Sequence, residues 1–229
     1  MTLQALTLDL DDTLWPVLPT IRRAEAAMQL WLREQAPAMV AMHDAPALRL
    51  IRESVQRDRP DWAHDLSALR RETIRRALLA AGDDPALAGP AFEVFFDERQ
   101  RVELFDDVLP ALARLAARWP IVALSNGNAD VHRVPGLGQH FRAALSARDL
   151  GVGKPAAMAF AEACRRAGAS PAFTLHIGDD GALDVDGALA AGLQAAWLRR
   201  PGLPHLAQPQ GQAQHVVASL AELADRLLA

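Results

Sequence analysis

The sequence lacks several features whose absence narrows its class. One cysteine, Cys164, stands among 229 residues, so no intrachain disulfide framework is possible. That usage fits a reducing compartment. A surplus of positive charge is missing too. Twenty-four Lys and Arg face 28 Asp and Glu, a formal net charge of −4. A general nucleic-acid binder would need a basic excess, so no nucleic-acid partner is expected. No uninterrupted apolar run is long enough to span a bilayer. The start, MTLQALTLDLDDTL, has neither the basic opening nor the long apolar core of a secretory signal. The expectation is a cytosolic protein with no membrane partner.

What is present is a change of pattern along the chain. Residues 5–10 form a short apolar run that ends in acids and reads as a buried parallel strand. A purely helical stretch follows. Ile21, Ala24, Met28, Trp31 and Leu32 fall at helical spacing, and Pro37 stops that helix. Residues 46–59 are a second candidate. Asp65 suits the N-cap of a third, which Gly82 ends, and a fourth is expected over 90–101. After an amphipathic segment at 108–119, strands alternate with helices. The strands are expected at 121–124, 143–146, 174–177, 195–198 and 215–217. The helices are expected near 128–134, 156–167, 182–191 and 219–228. Alternation of this kind predicts a doubly wound parallel α/β sheet. One strand, then only helices, then the rest of the sheet predicts an all-helical insertion. The expected division is a core of 1–15 and 104–229 with a helical cap of 16–103. Residues 201–212, rich in Pro, Gly and Gln, read as a surface loop.

Ligands of open α/β sheets bind beyond the carboxyl ends of the strands, so the residues that follow each strand matter most. Asp9-Leu10-Asp11-Asp12-Thr13 follows the first and Ser125-Asn126-Gly127-Asn128 the second. Gly153-Lys154-Pro155 comes after the third, and Gly178-Asp179-Asp180 with Asp184 after the fourth. Carboxylates, a hydroxyl and a lysine would gather at one rim, a set suited to phosphoryl transfer. A carboxylate can attack phosphorus and split hydrolysis into two easier steps. Hard oxygen ligands such as Asp9 and Asp179 would hold Mg²⁺, and Lys154 adds positive charge. Ser125 and nearby backbone N–H groups can hold phosphate oxygens. A second carboxyl, Asp11, can give and take a proton. It shares a side with Asp9 if extended geometry persists to that point.

These four motifs, in this order, resemble those of the haloacid dehalogenase superfamily, and the insertion resembles its helical cap. The resemblance implies that Asp9 is the nucleophile and Asp11 the general acid/base. It implies Mg²⁺ bound by Asp9, Asp179 and the backbone of Asp11. Ser125 and Asn126 would bind phosphate, with Lys154 neutralising charge. Asp184 would lie in an outer shell, and Asp180 stands where the family usually has Ser, which leaves its contact with the metal open. The segments LDLDDTL, HDLSALRRETI, RWPIVALSNGNA, GLGQHF, LHIGDD and DVDGALAAGLQAAWL are similar to bacterial phosphatases acting on flavin mononucleotide and on the phosphoribitylamino-pyrimidine of riboflavin synthesis. The expected partner is a small phosphorylated metabolite. Trp15, beside the first motif, and Arg70, in the inserted helices, are candidate substrate contacts. Trp15 reads equally well as packing the junction with the cap.

Other readings fit less well. A dehalogenase of the same superfamily lacks the second motif-one Asp, so Asp11 counts against that activity. A phosphomutase of similar fold and a non-catalytic binding protein are the remaining alternatives, though intact acids and lysine oppose the last. Gly151-Val152-Gly153-Lys154 is no P-loop, because Pro155 replaces the required Ser/Thr. His176 reads as a hydrogen-bonded strand residue and Cys164 as a small packing residue. No pattern in the sequence encodes an oligomeric state.

Overall fold

The computed structural model describes residues 2–203 and 208–229. Residues 204–207 of the expected 201–212 loop lie outside the described residues. The chain divides into two compact units, Met1–Val17 with Glu103–Ala229, and Leu18–Val102.

The first unit is built on six parallel strands: β1 Ala5–Leu8, β2 Ile121–Ser125, β3 Ala143–Ser146, β4 Thr174–Gly178, β5 Gln194–Leu198 and β6 His215–Val217. Their order is β3-β2-β1-β4-β5-β6. β1 sits between β2, in register Leu6 to Ile121, and β4, in register Leu8 to Ile177. Every residue of β1, β2 and β4 is buried, as a sheet covered on both faces requires. Ala5, Val122, Leu124, Leu145, Ala195 and Trp197 face one side and pack with Phe160, Ala163, Val185 and Ala188. The chain steps outward from β1 in one direction through β2 and β3, and in the other from β4 through β5 and β6. The strand order therefore reverses at β1 and β4, and open sheets of this kind form their ligand crevice at that reversal.

The second unit is helical: α1 Val17–Gln35, α2 Pro37–Met42, α3 Ala45–Asp58, α4 Leu66–Ala81 and α5 Ala88–Arg99. Its core unites Met28, Leu32, Met39, Ile74, Leu78, Phe92 and Phe95. Asp65 caps α4 by accepting from the N–H of Ala68, and Gly82 ends it at φ +79°. Pro37 stops α1 but also opens α2, because a proline at the first helical position loses no hydrogen bond.

The remaining helices are α6 Val108–Ala116, α7 Ala147–Leu150, α8 Ala157–Ala167, α9 Gly187–Ala190 and α10 Leu220–Leu228. Two expected helices differ. Residues 128–134 make only one 3₁₀ turn, Val131–Arg133, because Pro135 follows before a nucleus of α-helix can propagate. The 182–191 helix opens as a wide π turn, Gly181–Asp186, before becoming α9. Such turns recur at functional sites, and this one carries Asp184.

Candidate active site

Pairing of β1 with β4 brings Asp9 and Asp179 together, though they lie far apart in the sequence. The N–H of Asp9 donates to the carbonyl of Ile177 at 2.9 Å, so the sheet continues one residue past β1. Beyond it the chain turns sharply. Asp12 is the only described non-glycine residue with positive φ, at +57°, a region that Asp tolerates better than most. Its N–H donates to the carbonyl of Trp15, and its carboxylate accepts from the N–H of Val17 at 2.8 Å. β1 itself stops at Leu8, and Asp11 pairs with Trp15 in an isolated bridge just before the Asp12 turn. The Trp15 indole N–H donates to Asp11 Oδ1 at 2.8 Å.

Lys154 lies between two carboxylates, with its ammonium donating to Asp9 Oδ1 at 2.5 Å and to Asp184 Oδ1 at 2.6 Å. Its side chain is 2% exposed. Burial alone would pull the ammonium down, but Asp184 and Asp9 outweigh it and hold Lys154 above its ordinary pKa. Burial pushes the other way on Asp184, yet the Lys154 charge and the His176 hydrogen bond keep that carboxyl below its usual range. His176 donates from Nε2 to Asp184 Oδ1 at 3.1 Å and accepts at Nδ1 from the Thr7 hydroxyl at 2.8 Å. This tautomer follows because an ionised carboxylate only accepts. Burial lowers the His176 pKa and keeps the ring neutral. It is a hydrogen-bonded strand residue, as expected. Asp184 Oδ2 accepts from the N–H of Asp180, so both oxygens of Asp184 are engaged. A methyl group on Gly178 would sit 2.2 Å from Asp184 Cγ, so only glycine lets that carboxylate approach the strand end.

Asp9, Asp179 and Asp184 each offer an oxygen within 4.8 Å of the others. Asp184 is committed to Lys154 and His176, which leaves Asp9 and Asp179 to face a cation. The Thr13 hydroxyl lies between them, 3.3 Å from Asp9 Oδ2 and 3.1 Å from Asp179 Oδ1. Burial, with Asp184 and Asp11 and against the opposing pull of Lys154, raises Asp9 to about 7. Burial and the nearby Asp9 raise Asp179 to about 8. Raised in this way, both carboxyls resist ionisation unless further positive charge is brought to them. A hard divalent cation fits this donor set.

Ser125 is buried at the end of β2, and its hydroxyl accepts from the N–H of Gly127 at 2.9 Å. A Cβ on Gly127 would meet Asp11 Oδ2 at 2.5 Å and Ser125 Oγ at 3.3 Å, so this glycine lets the first two motifs converge. Asn126 spends its side chain on the third motif. Its amide donates to the carbonyl of Lys154 and its oxygen accepts from the N–H of Lys154, both at 2.8 Å. Asp180 Oδ1 caps the next turn by accepting from the N–H groups of Ala182 and Leu183.

The two candidate substrate contacts have other partners in this structure. Trp15 is fully buried, and its indole N–H donates to Asp11. Arg70 lies 3.8 Å over the ring of Phe95 and pairs with Glu25 at 3.3 Å, all within the helical unit. Sequence reasoning passed over the roles of Gly127, Gly178 and Arg200. A glycine or a lone arginine gives no signal until its neighbours are known.

A family model for haloacid dehalogenase-like hydrolases matches residues 3–192. The chain belongs to that family. It is 34% identical over 201 residues to 5-amino-6-(5-phospho-D-ribitylamino)uracil phosphatase YigB of Escherichia coli (strain K12), covering 86% of this chain and 84% of the relative. It is 32% identical over 223 residues to the phosphoserine phosphatase of Thermus thermophilus, covering 86% and 89%. Among solved structures, a 2-haloacid dehalogenase from Pseudomonas syringae pv. Tomato DC3000 superposes with TM-score 0.91 at 38% identity, covering 99% and 98%. The chain is a hydrolase of this family, and family and curated relatives together support the phosphatase type. No helix among the described residues is long and apolar enough to cross a membrane.

One consequence concerns pH. A carboxyl raised in the folded state from its ordinary 3.8 keeps a proton that the unfolded chain has already lost. Without metal, stability therefore falls as pH climbs from that value through about 7 and about 8. A bound cation replaces those protons. The rise in Tm on adding Mg²⁺ is expected to be small near about pH 5.5 and large near about pH 8.5. Paired melts in Mg²⁺ and in chelator at both pH values measure it. An increment independent of pH would mean that Asp9 and Asp179 do not hold the ion.

Proposed function

We propose that this hydrolase is a Mg²⁺-dependent phosphomonoesterase that forms a phosphoaspartyl intermediate on Asp9. The observation that carries the reading is the second carboxyl, Asp11, held by the Trp15 N–H and converging with Ser125 on Gly127. An alkoxide leaving group needs a proton; a halide does not. Asp9 attacks phosphorus, an Asp9 O–P bond forms, the ester P–O bond breaks, and the leaving oxygen takes the proton of Asp11. Asp11, now ionised, takes a proton from water as that water attacks phosphorus, which releases phosphate and restores Asp9. Lys154 and Ser125 hold the charge of the phosphoryl oxygens, and Asn126 fixes Lys154 through its backbone. Asp9, Asp179 and the backbone carbonyl of Asp11 would hold Mg²⁺, which would neutralise charge on the transferring group.

For substrate, similarity to the E. coli ribitylamino-uracil phosphatase favours a phosphorylated ribityl-pyrimidine, or flavin mononucleotide with the same ribityl phosphate. Arg70 is our candidate for polar contact with the leaving group. Its guanidinium carbon lies 3.8 Å over the Phe95 ring, with Arg52 and Arg99 adding like charge nearby. A second reading is 2-haloacid dehalogenase, favoured by the Pseudomonas structure. One panel decides between them. Phosphate release is measured from the ribityl-pyrimidine phosphate, flavin mononucleotide, phosphoserine and p-nitrophenyl phosphate, and chloride release from 2-chloropropionate. We expect phosphate release led by the ribityl phosphates. Arg70→Ala is expected to lose roughly tenfold on these and little on p-nitrophenyl phosphate. Chloride release without phosphate release would overturn the assignment. Equal loss by Arg70→Ala on large and small esters would remove Arg70 from recognition.

A further inference from the structure

β5 carries no carboxylate of the site, yet both loops that face the cation are tied to it. The Trp197 indole N–H donates to the backbone carbonyl of Asp179 at 2.8 Å. Two residues past the strand, Arg200 is 4% exposed. Its Nε and Nη2 donate to the backbone carbonyl of Thr13 at 3.1 and 2.9 Å. Nη1 donates to Asp107 Oδ1 at 2.6 Å, and the guanidinium lies 4.3 Å over the ring of Phe105. Asp107 is itself fixed, because its Oδ2 accepts from the N–H groups of Leu220 and Ala221 at the start of α10. The N–H of Phe105 donates to the carbonyl of Leu14. The turn after β1 is thus gripped at two successive carbonyls.

Thr13 is the residue whose hydroxyl stands between Asp9 and Asp179. A planar fork with two prongs on one carbonyl and a third on a capped carboxylate has no freedom to rotate. We propose that Arg200 is a positioning residue for the cation site: by fixing the Thr13 peptide it fixes the Thr13 hydroxyl and, through it, the separation of the Asp9 and Asp179 carboxylates. A surface arginine would need neither two bonds to one carbonyl nor near-complete burial. Burying a guanidinium is costly unless its donors find partners, and here two of them go to the turn that carries the first motif and one to Asp107. Lysine cannot replace it, since one ammonium cannot reach the carbonyl and Asp107 in the same fixed plane.

The proposal rests on the Mg²⁺ reading above, and its test separates the two. Mg²⁺ alone is titrated calorimetrically into the full chain as wild type, Arg200→Lys, Arg200→Ala and Asp107→Asn, and kcat and KM are measured on p-nitrophenyl phosphate. Arg200→Ala is expected to weaken Mg²⁺ binding roughly 10–100-fold, as loss of a group supporting metal ligands does. kcat should fall with KM for the ester nearly unchanged. Added methylguanidine, filling the space left by the side chain, should restore part of the Mg²⁺ affinity. Arg200→Lys and Asp107→Asn should fall between, and they carry the test if Arg200→Ala does not fold. Wild-type Mg²⁺ affinity in folded Arg200→Ala, or in both milder variants when that protein does not fold, would overturn the role. So would weakened binding that methylguanidine leaves untouched and that merely follows the loss in Tm across the variants. If wild type binds no Mg²⁺, the metal reading fails and Arg200 loses this role with it. If wild type binds Mg²⁺ but hydrolyses no phosphoester, the phosphatase reading fails while the comparison of affinities still decides Arg200.

Discussion

Asp9→Asn is expected to abolish turnover, by at least about 10⁴-fold in kcat, in the way that removing a covalent nucleophile does elsewhere. The amide keeps the shape of the side chain but cannot form the phosphoaspartyl bond. Its effect on stability should run the other way. Ionised Asp9 is costly in the metal-free fold, as its raised pKa records, because it is desolvated and faces Asp184 and Asp11. Lys154 retains Asp184 as a partner when Asp9 is neutral. Without metal, Asp9→Asn should therefore melt no lower than wild type near neutral pH, and its Tm should respond less to Mg²⁺. Rapid acid quench with a radiolabelled ester completes the comparison. No phosphoenzyme should form in Asp9→Asn, whereas Asp11→Asn should accumulate it, because the base that activates water is gone. Residual turnover near the wild-type rate in Asp9→Asn would dispose of the mechanism outright.

Lys154→Met is expected to damage both chemistry and fold. The side chain is nearly isosteric, but it leaves the carboxylates of Asp9 and Asp184 buried without their common cation. Breaking one partner out of a buried ionic group costs roughly 3–5 kcal/mol. At this chain length that is a fall in Tm of about 10 °C. The pH dependence identifies the cause. Lys154 has its pKa raised in the fold, so its contribution is fully present below its ordinary 10.5 and is lost only above that. Asp184 has its pKa lowered, so its contribution is present above its ordinary 3.8 and is lost as pH falls below it. Between those limits wild type enjoys both. In Lys154→Met the deficit should shrink as pH falls toward about 5, where the unpaired carboxyls take up protons and cease to be buried charges. Denaturation at about pH 5 and about pH 8 measures it. A deficit of equal size at both pH values would point to lost packing instead.

The positions of the site acids were readable because strands punctuate the sequence. Apolar runs such as those ending at Leu8 and Ile177 are buried on both faces, so their ends mark where polar residues can first appear. The placement of Asp11 was readable only on the condition that extended geometry persists past β1. In the fold Asp11 bridges to Trp15 just before the left-handed Asp12, and the Trp15 indole N–H donates to its carboxylate. The same turn includes Trp15. An aromatic beside the first motif suits either a substrate wall or packing; in the fold its ring is buried and its N–H donates to Asp11. The resemblance puts Asn126 at the phosphate; what no local rule shows is that its amide reaches the Lys154 backbone 28 positions away.

The sequence by itself determined most of the elements, the helical insertion and the residue types of the site, because hydrophobic period, caps and prolines act over a few residues. Asp65 and Gly82 bound α4 wherever that helix is placed. What only the tertiary structure decided is which of these residues meet. Strand order placed β4 beside β1 and so set Asp179 against Asp9, a pairing that no local rule encodes. Burial then changed what the groups are. Asp9, Asp179 and Asp184 are identical side chains, yet the first two are pushed up and the third is held down. The difference lies in which of them Lys154 and His176 can satisfy once water is excluded. Arg200 is the limiting case. In the sequence it is one of two adjacent arginines; in the fold, loss of solvent turns two of its prongs into the support of a turn 187 positions away and a third onto Asp107, because a buried guanidinium must spend its donors on whatever the chain brings within reach.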